Sequence, residues 1–443
     1  MANISDWSEN EKENLKLDEY SLSDPGKRPL AKIMAAVKAG FSSAPDPASK
    51  DSRAVAPTAW IVDEMRKAVE LASGGTETVL YDRWGNPHVM CILPKFDVGD
   101  IDASLGTGVH PAFQYEDADG VLRTVPEIFI GKYLASNDGR GRPVTLPRRA
   151  PWTWKWANDI TTIPDGPHKL CRMLNAGYGG SETAGWLGDF HFSLCTLATY
   201  AARLLVQYKT LGADGAAALG GNTNGGKDYS KPWQAGTLVE EGGGTTLTGS
   251  GPAAWSDDGI GHGLCDLIGN AQEAVYDAMT VKGQLRIVPY NNAVKRGVLN
   301  TASGPRRYIK EDGTYGTPQS TDVSTRISGG ICYDGDGEGG LCINNTVENQ
   351  SASADVNFTA DFSGLEAASG VTVPAIMQIL CLAPISGFSQ PGQIALNNGT
   401  GSFQRCLTFG GSYASGAGAG LNCMSSVPYN APGAGTGFRV MYM

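Results

Sequence analysis

The sequence predicts an α+β fold in which one strong core helix and a few shorter ones are set among many short strands and long loops. Three observations point there. Glycine occurs 59 times in 443 residues while only 18% of residues are charged, so the surface has to be built largely from loops and uncharged polar side chains. Short runs rich in β-branched and aromatic residues are bounded by Gly, Pro, Asn and Asp, which is the pattern of brief strands. One segment, Phe192 to Thr210, instead repeats its apolar residues at helical spacing.

The chain is long enough for two or three domains and a sizeable core. It shows no internal repeat, and no linker forces a split after residue 76. We divide it into an N-terminal arm, 1–75, and one domain, 76–443, whose last stretch, 405–443, stands apart in composition. The arm mixes charge, Pro and Ser around one helical candidate, Pro29 to Ala39, with Leu30, Ile33, Met34 and Val37 on one face. A lone amphipathic helix must bury that face on something else, so the arm reads as an attachment or oligomer-forming element, with a flexible leader as the alternative. Trp60 to Ser73 is a second helix candidate, stopped by Gly74-Gly75.

From Thr76 the pattern changes to strands. Thr78 to Tyr81, a turn at Trp84-Gly85-Asn86-Pro87 and Val89 to Phe96 read as a hairpin, and Glu127 to Tyr133 as a further strand. Pro164 to Ala176 reads as a helix with Asp165 as N-cap and Gly177 as stop. Phe192 to Thr210 is the expected central helix, with Leu194, Leu197, Ala198, Ala201, Leu204, Leu205 and Tyr208 at spacings of three and four. Beyond Leu211 the chain is glycine-rich and irregular to about residue 260. Strands are expected again at Gln284 to Tyr290, Gly329 to Tyr333 and Leu341 to Asn345, and a short helix from Pro374 to Leu382. The last stretch has a frame, Gly410-Gly411-Ser412-Tyr413 at one end and Gly437-Phe438-Arg439-Val440 at the other. Phe-Arg-Val-Met-Tyr-Met alternates like a strand burying one face. The Ser, Ala, Gly, Asn and Tyr between them are residues that recur in contact loops, so the stretch reads as a display segment held at both ends.

Composition argues against several functions. Net charge is −10, the pI is near 5.1 and no stretch clusters Lys and Arg, so nucleic-acid binding is not expected. Nine cysteines, an odd number without a C-x-x-C, fit neither a disulfide framework nor a zinc site. The N-terminus is acidic where a signal peptide is basic and then apolar. The most apolar run, Val371 to Phe388, is broken by Pro374 and Pro384 and carries Gln378, so no membrane insertion is expected. Five scattered histidines give no His-based metal motif, and neither a G-x-S-x-G elbow nor a phosphate-binding P-loop occurs. Asp334-Gly335-Asp336-Gly337-Glu338 alternates oxygen ligands as a calcium loop does. The position for an EF-hand's bidentate Glu is Asn345, however, and a solvated acidic turn is the plainer reading. Nothing separates the pKa values of Asp257 and Asp258 as acid–base catalysis requires.

Gly263-Leu264-Cys265-Asp266-Leu267-Ile268-Gly269-Asn270-Ala271-Gln272-Glu273 resembles the G-L-x-D-x-x-G-N-x-x-E segment of the formylglycine-generating, sulfatase-modifying-factor branch of the C-type lectin fold. The G-G-S-Y and G-F-R-V pieces resemble that branch's closing motif, and the strands through Phe96 and Ile128 to Tyr133 its opening. Gly221 to Asp228, Thr248 to Ala253 and Val288 to Ala293 are similar to segments of phage and prophage tail proteins whose lectin-fold domain is diversified by retroelements. The resemblance covers residues 76–443. It implies a C-type lectin fold and a virion protein at a tail fibre or tail tip, made in the host cytoplasm, that binds a host cell-surface receptor, protein or glycan. By the same analogy it implies a homotrimer whose arm docks to other tail proteins.

Departures bear on the enzyme reading. The copper-binding cysteines of formylglycine-generating enzymes fall two and seven residues after G-G-S-Y, where this chain has Ser415 and Gly420. Cys406 and Cys423 lie outside that spacing and are expected to be core thiols. The family's Trp-x-Trp around the motif's Glu is Gln272 and Ala274 here, and its Arg before the closing Gly-Gly is Phe409. The expected role is therefore binding, with no required cofactor, through Tyr413, Ala414, Ser415, Ala417, Gly418, Asn422, Ser425, Ser426, Tyr429 and Asn430. Asn270 and Glu273 match positions near a structural Ca²⁺ site in the enzymes, and a buried Asn–Glu hydrogen-bond pair explains them equally. The alternatives are a structural collar or baseplate protein and an oxidase on the same fold.

Overall fold

A computed structural model of the chain describes residues 59–117, 119–153, 165–175, 191–223, 244–295, 306–318, 329–349, 358–397, 404–428 and 435–443. The helix expected at Pro29 to Ala39 lies outside them. The architecture is α+β and rich in sheet. Helix α1 (Ala59–Ala72) ends where its glycines predict: Gly74 and Gly75 take φ of 61° and 88°, and Gly75 donates to the Glu70 carbonyl at 2.8 Å. It is fastened to the first strand, since Arg66 Nε donates to Val79 O at 2.8 Å and Thr78 Oγ1 bonds Glu70 Oε1 at 2.5 Å. The last helix of the arm therefore belongs with the domain that follows it.

Strands β1 (Glu77–Tyr81), β2 (Pro87–Pro94) and β3 (Glu127–Gly131) pair antiparallel as the hairpin pattern predicts. Helix α2 (Asp165–Arg172) comes next. The start of the expected central helix is a strand instead, β4 (Phe192–Leu194). All three of its residues are buried, so no alternation separates it in the sequence from the helical repeat that follows. Helix α3 (Leu197–Ala218) begins only after Thr196, whose hydroxyl accepts from Thr199 N–H at 3.2 Å. Its central position holds: Leu197, Ala198, Ala201, Leu204, Leu205 and Tyr208 are all buried, and Gly212 at φ 65° kinks its far end. No helix among the described residues is long and apolar enough to cross a membrane.

Strand β5 (Gln272–Val281) follows and turns into β6 (Gln284–Ile287). At ten residues β5 is the longest strand described, and its pattern did not announce it. Its residues after Gln272 are buried on both faces, so there is no alternation to read, and Glu273 and Asp277 look like surface charge. Instead Asp277 accepts from Leu197 N–H at 3.0 and 3.1 Å, giving the start of α3 a buried anion. The short helix predicted at Pro374 is present at Ala375–Ile379. The final stretch supplies β7 (Arg405–Phe409), β8 (Met424–Pro428) and β9 (Val440–Tyr442).

Two large sheets result. The first runs β1, β2, β3, β9, β4, so the last strand of the sequence lies in its interior, antiparallel to both neighbours. The second has eleven strands along an axis that includes β6, β5, β7 and β8 in that order. Helix α3 contributes to the largest apolar cluster together with residues of both sheets, Ile128 and Ile130 from β3 and Val275 and Leu407 from β5 and β7.

Candidate functional site

The frame of the display segment rests on one buried ion pair. Arg439, 1% exposed, reaches Glu273, 2% exposed, through Nε at 2.8 Å and Nη2 at 2.5 Å. Its remaining reach is to carbonyls: Nη1 donates to Gly131 and Lys132 at 2.7 and 2.9 Å, and Nη2 to Cys265 at 3.0 Å. One guanidinium thus ties the end of β3, the Gly263–Glu273 motif and β5 to the strand that closes the first sheet. Burial alone would lower the Arg439 pKa, but the Glu273 carboxylate outweighs it and holds the cation firmly protonated. The two motifs that carried the family resemblance are joined side chain to side chain.

Between β7 and β8 the chain forms the loop Gly410 to Cys423. Gly410 and Gly411 enter it at φ 82° and 77°. A Cβ on Gly410 would lie 2.1 Å from the Leu267 carbonyl oxygen, so only glycine fits. The loop is then held by backbone: Gly410 N–H to Cys423 O at 2.9 Å, Tyr413 N–H to Asn270 O and Gly416 N–H to Thr223 O, both at 3.0 Å. Ser415 Oγ accepts from Ser412 N–H at 2.8 Å and closes the turn between them. Underneath, two tyrosines of α3 brace the ends. Tyr200 packs on Phe409 with ring centroids 4.8 Å apart, and the Tyr208 hydroxyl bonds Asn422 Oδ1.

Ala414 and Ala417 are exposed on this loop, and Tyr413, Ser415 and Gly418 are half-buried, as is Ser425 on β8. Two expected contact residues are corrected. Asn422 is fully buried because it anchors the loop's base to Tyr208. Ser426 is 5% exposed: strand alternation turns it inward, where its hydroxyl accepts from Asn397 N–H at 3.2 Å and Arg405 Nε at 3.1 Å. Tyr429 and Asn430 lie outside the described residues.

Sequence reasoning missed the neighbours of Ser425. Gln272 on β5, Thr408 on β7, Ser425 on β8 and Thr436 form one hydrogen-bonded row: Thr408 Oγ1 to Ser425 Oγ 2.7 Å, Ser425 Oγ to Gln272 Oε1 3.1 Å, Gln272 Nε2 to Thr436 Oγ1 2.9 Å. Thr408 and Thr436 are buried, and Gln272 and Ser425 remain partly open. The row adjoins the loop, since Gln272 N–H donates to Gly435 O and a Cβ on Gly435 would meet Ser412 at 3.3 Å and Tyr413 at 3.7 Å. The available signal was the polar Gln272 where the resembling family has Trp.

Asn270 and Glu273 do not bond each other; each has its own partners. Asn270, at φ 59°, clamps Thr246 through its N–H at 2.8 Å and its O at 3.1 Å, and both Glu273 oxygens are engaged by Arg439. Asp334 is buried and accepts from Glu348 N–H at 2.7 Å and Asn349 N–H at 3.0 Å, while Asp336 caps a hairpin turn through Glu338 and Gly340 N–H at 2.8 Å. Among the described residues no group of three or more His, Cys, Asp and Glu is arranged to hold a metal. Cys406 and Cys423 are buried, with thiols pushed up by burial to about 12 and about 11. At Gly420 a Cβ would lie 2.3 Å from the Pro391 carbonyl oxygen, so no side chain fits there on this backbone. No known protein-family model matches the chain, and no curated protein is similar to it.

Proposed function

We propose that the protein is a phage receptor-binding protein of a tail fibre or tail tip, on a C-type lectin fold, contacting the host surface through the loop around Tyr413 to Gly418 and the adjoining face of β8. The observation that carries this reading is the separation of frame from display. The loop is fixed by backbone hydrogen bonds to Asn270, Thr223 and Cys423, while the side chains of the exposed Ala414 and Ala417 take no part in that fixing. Side chains at such positions can change at little cost to the fold. Tyr413 is the aromatic side chain among the described residues of the loop and its natural anchor for a contact. A surface of small residues binds weakly per site, so useful attachment comes from several copies, which a homotrimer held by the arm on other tail proteins provides.

The test is capture of bacterial envelope by the full chain, compared with a variant carrying Tyr413→Ala, Ala414→Glu and Ala417→Glu whose melting temperature is unchanged. Loss of capture in the variant is expected. Equal capture by both proteins refutes the assignment of this surface, and no capture by either favours a structural collar or baseplate role.

A further inference from the structure

From Cys406 through Phe438 the sequence contains no Asp, Glu, Lys, Arg or His, in a chain where 18% of residues are charged. The neighbours that other elements bring to this surface extend the pattern. Gln272 joins it from β5. Gln393 lies beneath Gly418, where a Cβ would meet its side chain at 3.2 Å, and Gly244 meets the Tyr413 ring, where a Cβ would fall 2.5 Å away. Asn270 and Thr223 offer backbone carbonyls. The described part of this surface is built of hydroxyls, amides and one aromatic ring, with no formal charge contributed by any of these residues.

We infer that the ligand of this surface is an uncharged glycan. The inference rests on the receptor-binding reading above and names the chemical class of the receptor. Serine and threonine hydroxyls and the glutamine amide each donate and accept, which matches sugar hydroxyls that do both. The half-open Gln272 and Ser425 are held in register by the buried Thr408 and Thr436, so they present a set geometry. Tyr413, half-buried beside them, gives a ring for the C–H face of a sugar and a hydroxyl for its edge. A protein receptor is less well served, because its interfaces draw most of their energy from several Trp, Tyr and Arg anchors, and Tyr413 is the one such side chain on the described part of this surface. Among the described residues of this surface an acidic polysaccharide would meet no cation.

Three measurements on the full chain test this. On a printed array of neutral and acidic bacterial oligosaccharides, binding falls on neutral members and changes less than twofold between 50 and 500 mM NaCl, since none of the described residues of this surface carries a charge to be screened. Gln272→Leu and Ser425→Ala each weaken that binding about tenfold, the equivalent of one lost hydrogen bond, with the melting transition retained. Envelope treated with periodate, which cleaves vicinal diols, loses capture, and protease-treated envelope keeps it. Preference for acidic sugars, or a tenfold loss with salt, overturns the neutral-glycan inference. So does capture that protease abolishes and periodate spares, which would leave receptor binding standing with a protein as its target. Failure to capture untreated envelope would remove the receptor-binding reading itself.

Discussion

Glu273→Gln tests whether one ion pair carries the frame. The substitution keeps shape and removes the charge facing Arg439, a guanidinium only 1% exposed. Breaking a buried pair from one side costs about 3–5 kcal/mol. The lower end applies here, because Arg439 keeps its bonds to the carbonyls of Gly131, Lys132 and Cys265. Unfolding entropy of about 2.1 cal/mol/K per residue, over roughly 385 residues, is about 0.8 kcal/mol/K, so a loss of about 3 kcal/mol lowers the melting temperature by about 4 °C. Arg439→Met should cost more, about 4–5 kcal/mol, because it strands the Glu273 carboxylate and withdraws a donor from the carbonyls of Gly131, Lys132 and Cys265, of which Lys132 keeps the Cys265 N–H. The double variant should be more stable than the sum of the single losses implies, by about 1–3 kcal/mol of coupling. Scanning calorimetry on the four proteins decides it. A Glu273→Gln transition within 1 °C of wild type, or strict additivity in the cycle, would refute the claim that this pair locks the closing strand.

Further outcomes are expected. Burial raises Asp266 to about 6, and one of its oxygens has no hydrogen-bond partner. An acid whose folded pKa is raised binds more protons when folded, so its stabilisation is complete at low pH and is lost as pH rises from about 4 through 6. Compared with wild type, Asp266→Asn should therefore gain about 1 kcal/mol between pH 5 and pH 7 in denaturant titrations. The difference between the proteins is the readout, because buried His110 and His168, lowered by desolvation to about 4 and about 3, pull wild type the opposite way. Gly410→Ala should cost more than about 3 kcal/mol, from positive φ and the Leu267 clash, and show as loss of soluble protein. Ala414→Ser and Ala417→Ser should both stay within about 0.5 kcal/mol of wild type in the same melts. Thiol titration of the native protein should leave Cys195, Cys381 and Cys406 unreacted until denaturant is added, since each is buried with its thiolate strongly disfavoured.

What the sequence made legible follows its periodicities. Helices α1 and α3 and the β1–β2 hairpin were readable because turn glycines or an apolar stripe mark them. Strand β5 was not, because a strand buried on both faces loses its alternation, and its carboxylates are buried by partners far along the chain: Glu273 by Arg439, Asp277 by the first turn of α3. The same limit governs the site. Gly410, Gly411 and Arg439 were recognisable as a frame from residue type alone. The inward turn of Asn422 and Ser426 depends on Tyr208 and Arg405, and neither partner is predictable from the local run of small residues. The row from Gln272 to Thr436 joins strands β5, β7 and β8 to a residue near the end of the chain and has no sequence motif.

The interior position of β9 has a consequence for inheritance. The exposed loop is encoded ahead of Arg439 and of the strand that fills the middle of the first sheet. A missense change at Ala414 or Ala417 leaves that strand intact, whereas a frameshift or a stop codon in the same stretch deletes it. Strands β3 and β4 would then have no partner between them, Glu273 would be a buried charge without its cation, and the product would be handed to cellular proteases. Folding thereby screens variation in the loop for reading frame.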